Sequence, residues 1–165
     1  MDLKHELDRA GSWPAGSNSM TISPAIVFDP DPSPQDLDRL GQGIDAFDLP
    51  TVGPSDRVDL TYFVRGDRGT ILAGMHGNTV DGWLYISSLW VDEALRGTGL
   101  GSALMRRAED EGRRRGCTHA YLNTFSYQAP AFYARLGYVV FAELEDFPPP
   151  HRRIFLRKPL GNLKV

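Results

Sequence analysis

At 165 residues, with 41% hydrophobic and 24% charged side chains and a net charge of −3, the chain has the size and apolar content of one globular domain with a real core. No apolar run approaches the roughly 20 residues of a membrane span, and the opening Met1-Asp2-Leu3-Lys4-His5-Glu6 has no apolar core of a secretory signal. The single cysteine, Cys117, excludes an internal disulfide and, with no targeting signal, makes the cytoplasm the default location.

Residues 1–19 are polar and rich in Gly, Ser and Asn, which reads as a flexible extension ahead of a single domain at 20–165. Ile22 to Phe28 reads as a first strand, and Asp29-Pro30-Asp31-Pro32 as a proline-punctuated turn. Ser33-Pro34 can cap and open a helix to about Phe47, on which Leu37, Leu40, Ile44 and Phe47 recur at helical spacing. Val58–Val64 and Thr70–His76 read as a hairpin around Gly66-Asp67-Arg68-Gly69, and Asn78–Gly82 as a turn into a strand at Trp83–Val91. A helix follows from about Gly99 to Arg115, with Leu100, Ala103, Leu104 and Ala108 on one face and Arg106, Arg107, Glu109 and Asp110 largely off it. Then come a strand at Thr118–Asn123, opened by a Cys117 thiol expected to be buried and inert, and a short helix around Tyr133. Strands at Tyr138–Leu144 and Arg152–Leu156 flank the loop Phe147-Pro148-Pro149-Pro150. The order β-α-β-β-β-α-β-α-β-β describes a layered α/β domain with a mixed sheet.

Charge is unevenly spread. Between Asp29 and Asp59 many aspartates face only Arg39 and Arg57, whereas Arg96 to Arg115 is dominated by arginine. That polarity suits a cationic amine meeting a polyanionic ligand. The overall acidity argues against a nucleic-acid partner, and His5, His119 and His151 lack metal-ligand spacing, so no metal is expected.

Leu95-Arg96-Gly97-Thr98-Gly99-Leu100-Gly101-Ser102 carries the strongest functional signal. Its glycines lie between a strand and a helix, where uncovered N–H groups at the positive helix end can bind a phosphate. It is not a P-loop, for the chain contains no Gly-Lys-Ser/Thr. It is not a dinucleotide fingerprint either, because Ser102 stands where the third glycine belongs. Arg96, Gly99 and Gly101 do fit Arg-x-x-Gly-x-Gly, which resembles the acyl-CoA pyrophosphate loop of the GNAT superfamily of N-acetyltransferases. A second signature agrees: Ala129 precedes Tyr133 by four residues, and Gly137 and Tyr138 follow it by four and five. The resemblance covers about residues 58 to 158.

This resemblance implies a central mixed, mostly antiparallel sheet of six to seven strands flanked by helices and splayed after the fourth strand, at 83–91. It implies direct acetyl transfer from acetyl-CoA, as co-substrate, to a primary amine of a small molecule or peptide, within a ternary complex. On it, Arg96, Gly97, Thr98, Gly99, Leu100, Gly101 and Ser102 hold the pyrophosphate. Leu89, Trp90 and Val91 run along the pantetheine arm, and an N–H near Leu89 meets the thioester oxygen. Ser126 occupies a position where relatives often place an asparagine that meets the cofactor. Tyr133 is the general acid toward the departing sulfur. A homodimer is expected by analogy alone.

The base is not readable. No carboxylate occurs between Gly82 and Val91, where many relatives place a glutamate. Water relayed by Ser87, Ser88 or Asn123 is one route, and His76, Asp45, Asp48 or Glu143 are others. Two other classes remain open: a non-catalytic acyl-CoA-binding regulatory module, favoured by the missing carboxylate, and a nucleotide-binding oxidoreductase using the glycine turn.

Overall fold

The structure is a computed structural model that describes residues 25–161. The extension expected at 1–19 lies outside them. Contacts divide the chain into two units, 1–44 and 45–165.

In the first unit the described part of the expected strand, residues 25–28, forms no strand. Ala25–Phe28 has no ladder partners, and Ile22–Pro24 lies outside the described residues. Extended backbone gains little without a neighbouring strand to bond its N–H and C=O groups. Helix α1, Pro34–Val52, opens as expected: the Asp36 N–H donates to Ser33 Oγ at 3.1 Å, and Ser33 Oγ donates to the Asp36 carboxylate at 2.6 Å. It runs past the expected end at Phe47 and through Pro50 to Val52. Gly53, with φ +79°, then closes it, donating to the Leu49 carbonyl at 3.0 Å.

The second unit is built on six strands: β1 (Val58–Arg65), β2 (Ile71–Val80), β3 (Trp83–Val91), β4 (His119–Phe125), β5 (Val139–Leu144) and β6 (Arg153–Pro159). Their spatial order is β1-β2-β3-β4-β6-β5. Every pairing is antiparallel except β3 with β4. β2 continues through the expected Asn78–Gly82 turn as far as Val80. Asp81 (φ +49°) and Gly82 (φ +73°) alone reverse the chain, the backbone that a two-residue hairpin demands.

Two irregularities shape the sheet. β3 pairs with β4 only along Trp83–Ile86, so the strands part from Ser87 onward; this is the splay expected after the strand at 83–91. On its other side β3 bulges: His76 faces Ser88 while Gly77 faces Ile86, leaving Ser87 as the extra residue. Ser87 Oγ donates to the His76 carbonyl at 3.0 Å. A Cβ at Gly77 would collide with the carbonyl oxygen of Tyr85, so the bulge requires glycine there.

Helix α2, Leu100–Arg114, buries Leu104, Met105 and Ala108 in one core with Leu84, Ile86, Ala120, Leu122, Ile154 and Leu156. Each large side chain contributes about 1.5–3 kcal/mol, well above the 0–1 kcal/mol of an exposed ion pair, so apolar packing positions this helix. Glu109, expected off the buried face, is buried instead. Lys158 Nζ on β6 reaches it at 2.7 Å and Arg113 at 3.6 Å, which is what lets a carboxylate occupy that depth. Cys117 is buried as expected, and burial pushes its thiol up. Helix α3, Pro130–Arg135, completes the layer.

Candidate active site

The chain leaving β3 makes one turn, Glu93–Leu95, capped by Asp92, whose Oδ1 accepts from the Ala94 N–H at 3.0 Å. It then passes through Gly97 (φ +79°) and Gly99 (φ +88°) into α2. An L side chain is strained at both angles. Thr98 Oγ1 donates to the Leu95 carbonyl at 2.7 Å, and Arg96 Nε to the Val91 carbonyl at 3.3 Å, so both side chains fasten the turn. Among the described residues no acceptor meets the N–H groups of Gly97, Thr98, Gly99, Leu100, Gly101 or Ser102. These donors lie in the turn and the first helical residues, at the positive end of a 15-residue helix. Gly101 has a separate role: a Cβ there would lie 3.4 Å from the Phe132 ring, so the position lets α2 and α3 approach closely.

The turn opens onto a cleft of about 790 Å³. Of the residues singled out in the sequence, Leu89, Trp90, Val91, Arg96, Gly97, Gly99, Leu100, Gly101, Ser102 and Tyr133 line it, whereas Thr98 and Ser126 do not. Ser126 instead holds the start of β6, its Oγ accepting from the Arg152 N–H at 3.1 Å. Sequence reasoning missed Leu95, Thr124, Tyr127, Gln128 and Arg135 on the cleft wall. Gln128 stands in the turn before α3. Its Oε1 accepts from Thr124 Oγ1 at 2.9 Å and from the Phe125 N–H at 3.0 Å, which leaves its amide NH₂ as a donor. Its place beside the Ala129–Tyr133 signature was the available signal.

Tyr133 is placed by α3. Pro130 opens the helix, and the Tyr138 N–H closes it on the Tyr133 carbonyl at 3.1 Å. The ring packs edge-on against Phe132, with centroids 5.0 Å apart. Burial raises the phenol above its ordinary pKa, so it keeps its proton throughout the neutral range. No protein acceptor takes the Tyr133 hydroxyl among the described residues, and its side chain also borders a second pocket, of about 240 Å³, where β3 and β4 part.

Ser87, Ser88, Asn123 and Gln128 line that second pocket with Ile86, Leu89, Leu122 and Tyr133, and among the described residues no carboxylate lines either space. Of the side chains considered as a base, Glu143 is paired with Arg152 at 2.8 Å, and Asp45 and Asp48 stand exposed on α1. His76 Nδ1 lies 2.7 Å from Thr61 Oγ1, directly across the ladder from Ser88. Among the described residues no group of three His, Cys, Asp or Glu side chains is placed to hold a metal, and no helix is long and apolar enough to cross a membrane.

Residues 31–138 match the model of the acetyltransferase (GNAT) family. The chain belongs to the GNAT family. This acetyltransferase is 39% identical to an acetyltransferase of Agrobacterium fabrum over 99 residues, 60% of this chain and 72% of that protein. It is 44% identical to blasticidin-S acetyltransferase of Streptomyces morookaense over 85 residues, 51% of this chain and 62% of that protein. A solved acetyltransferase structure from Agrobacterium tumefaciens superposes with a TM-score of 0.77 and 31% identity, covering 82% of this chain and 98% of that one. The mixed, splayed sheet is thus the fold that the GNAT signatures implied.

Proposed function

We propose that this GNAT protein transfers the acetyl group of acetyl-CoA to a primary amine of a small molecule or peptide, by direct attack in a ternary complex. One observation carries the reading: Tyr133 borders both the cleft beneath the glycine turn and the pocket in the splay, the two spaces a two-substrate transfer needs.

Acetyl-CoA, when bound, supplies the activated thioester. The chain's residues fit it, because the uncovered N–H groups from Gly97 to Ser102 and the Arg96 guanidinium match a pyrophosphate in charge and donor type. Leu89, Trp90 and Val91, released from β4 by the splay, offer a strand edge to the pantetheine arm, and the N–H near Leu89 would polarise the thioester carbonyl. Tyr133 holds its proton on Oη and donates it to the departing sulfur. A phenol near ~10 stays protonated where a thiol near ~8.5 is already losing its proton, and the donated hydrogen bond strengthens as negative charge builds. The attacking amine must shed a proton first. Ser87, Ser88 and Asn123 can order the water that accepts it, since among the described residues no carboxylate lines the pocket.

That missing carboxylate also favours a second reading, a non-catalytic acyl-CoA-binding module. Purified protein with acetyl-CoA and a panel of amines separates the two. Released thiol together with acetylated amine in the mass spectrum supports transfer. Acetyl-CoA binding with no product from any amine supports the binding module.

A further inference from the structure

Beside the second pocket the structure holds a half-buried cation without a counter-ion. Arg153 opens β6 opposite Phe125 of β4. Its Nε donates to Asn123 Oδ1 at 2.9 Å, and Asn123 is fixed in turn by its Nδ2 donating to the Tyr85 hydroxyl at 3.3 Å. The guanidinium carbon lies 5.8, 5.5 and 5.6 Å from the ring centres of Phe125, Phe147 and Phe155. Among the described residues no carboxylate lies within ion-pair distance of it, although Arg152 next to it is paired with Glu143 at 2.8 Å. The rings hold the fork by cation–π attraction and shield it from water, and with Nε committed, both Nη groups remain as parallel donors. A planar two-oxygen anion matches that fork better than any other partner. Asn123 bridges the fork to the pocket it lines.

We propose that the acceptor is a small zwitterion, an amino acid or an amino-acid-like molecule, whose carboxylate is received by Arg153 while its amine enters the pocket between β3 and β4. This deepens the acetyltransferase reading and rests on it. Arg153 is then a specificity-determining residue. Among the described residues no carboxylate pairs with Arg153 and none lines the pocket, so none there competes with the substrate for the guanidinium.

The test compares amino acids with their carboxamides by thiol release from acetyl-CoA, in the wild-type protein and in Arg153→Gln. A charged bidentate contact predicts kcat/KM about 10- to 100-fold higher for the acids. Arg153→Gln should raise KM for the acids by a similar factor, a clearly larger loss than it causes with the carboxamides, with acetyl-CoA binding unchanged. Equal rates for acids and carboxamides, or an equal loss for both in the variant, would overturn the proposal. If no compound is turned over, CoA-loaded wild-type protein is titrated with N-acetylated amino acids while the Arg153 Nε–H resonance is followed. A saturable shift that their carboxamides do not cause supports the proposal, and a resonance that stays still overturns it. Failure of acetyl-CoA itself to bind would strike the acetyltransferase reading instead.

Discussion

The Tyr138 N–H donates to the Tyr133 carbonyl at 3.1 Å, and the Gly137 N–H between them donates to Ala134 at 3.0 Å. With Gly137 at φ +88°, this is a Schellman closure, in which a left-handed glycine lets two successive amides fold back onto the last turn. The closure fixes the end of α3, the helix that carries Tyr133 to the border of both pockets. Ala129, Tyr133, Gly137 and Tyr138 form a motif because each has a part in building this single turn.

Replacing the hydroxyl alone is the sharpest probe of its role. Tyr133→Phe is expected to lower kcat by about 10²-fold or more, with acetyl-CoA affinity and the unfolding midpoint nearly unchanged. Steady-state rates and calorimetric titration check both halves. A variant that keeps its rate removes Tyr133 from proton transfer.

At the other end of the cleft, Gly99→Ala forces an L residue into φ +88°. The strain of about 1–2 kcal/mol falls on the turn that presents the N–H groups. Acetyl-CoA should bind about 5- to 30-fold more weakly, as read by titration, while the helix signal in circular dichroism is retained. Undiminished affinity would show that these amides do not hold the ligand.

The bulge in β3 gives a stability prediction. Gly77→Ala drives a Cβ into the Tyr85 carbonyl, backbone against backbone, where no side chain can yield. A loss of about 3 kcal/mol or more is expected, at the upper end of single-site effects, measured as a fall in the urea midpoint.

One contribution to acid stability lies on α2. Hydrogen bonds from Arg114 and Arg115 hold the Glu111 carboxyl down to about 2. A lowered carboxyl pKa stabilises the fold above the unfolded-state value, and that share is lost as pH falls through the folded value. Urea midpoints should therefore decline between about pH 5 and about pH 2. In Glu111→Gln the decline should be shallower, and an identical decline would show that Glu111 contributes nothing.

The hairpin, the α2 stripe, the glycine turn and the Tyr133 helix were legible in the sequence because each is written locally, in periodicity, caps and positive-φ glycines. Features that join distant segments were not. The need for glycine at position 77 comes from the approach of Tyr85 across the ladder, and the burial of Glu109 comes from Lys158 on a later strand. The Arg153 cluster draws on β4, β6 and the proline loop, so no single stretch announces it. Ile22–Phe28 was read as a strand from its apolar run alone, yet Ala25–Phe28 finds no ladder partner.

The acetyltransferase reading rests on the glycine turn and its cleft receiving acetyl-CoA. Thermal unfolding with and without saturating acetyl-CoA tests that most directly. A ligand at about 100 times its dissociation constant adds about 2.7 kcal/mol, so the midpoint should rise by roughly 2–8 °C. An unchanged midpoint, or a rise with NAD(P) and none with acetyl-CoA, would contradict the account.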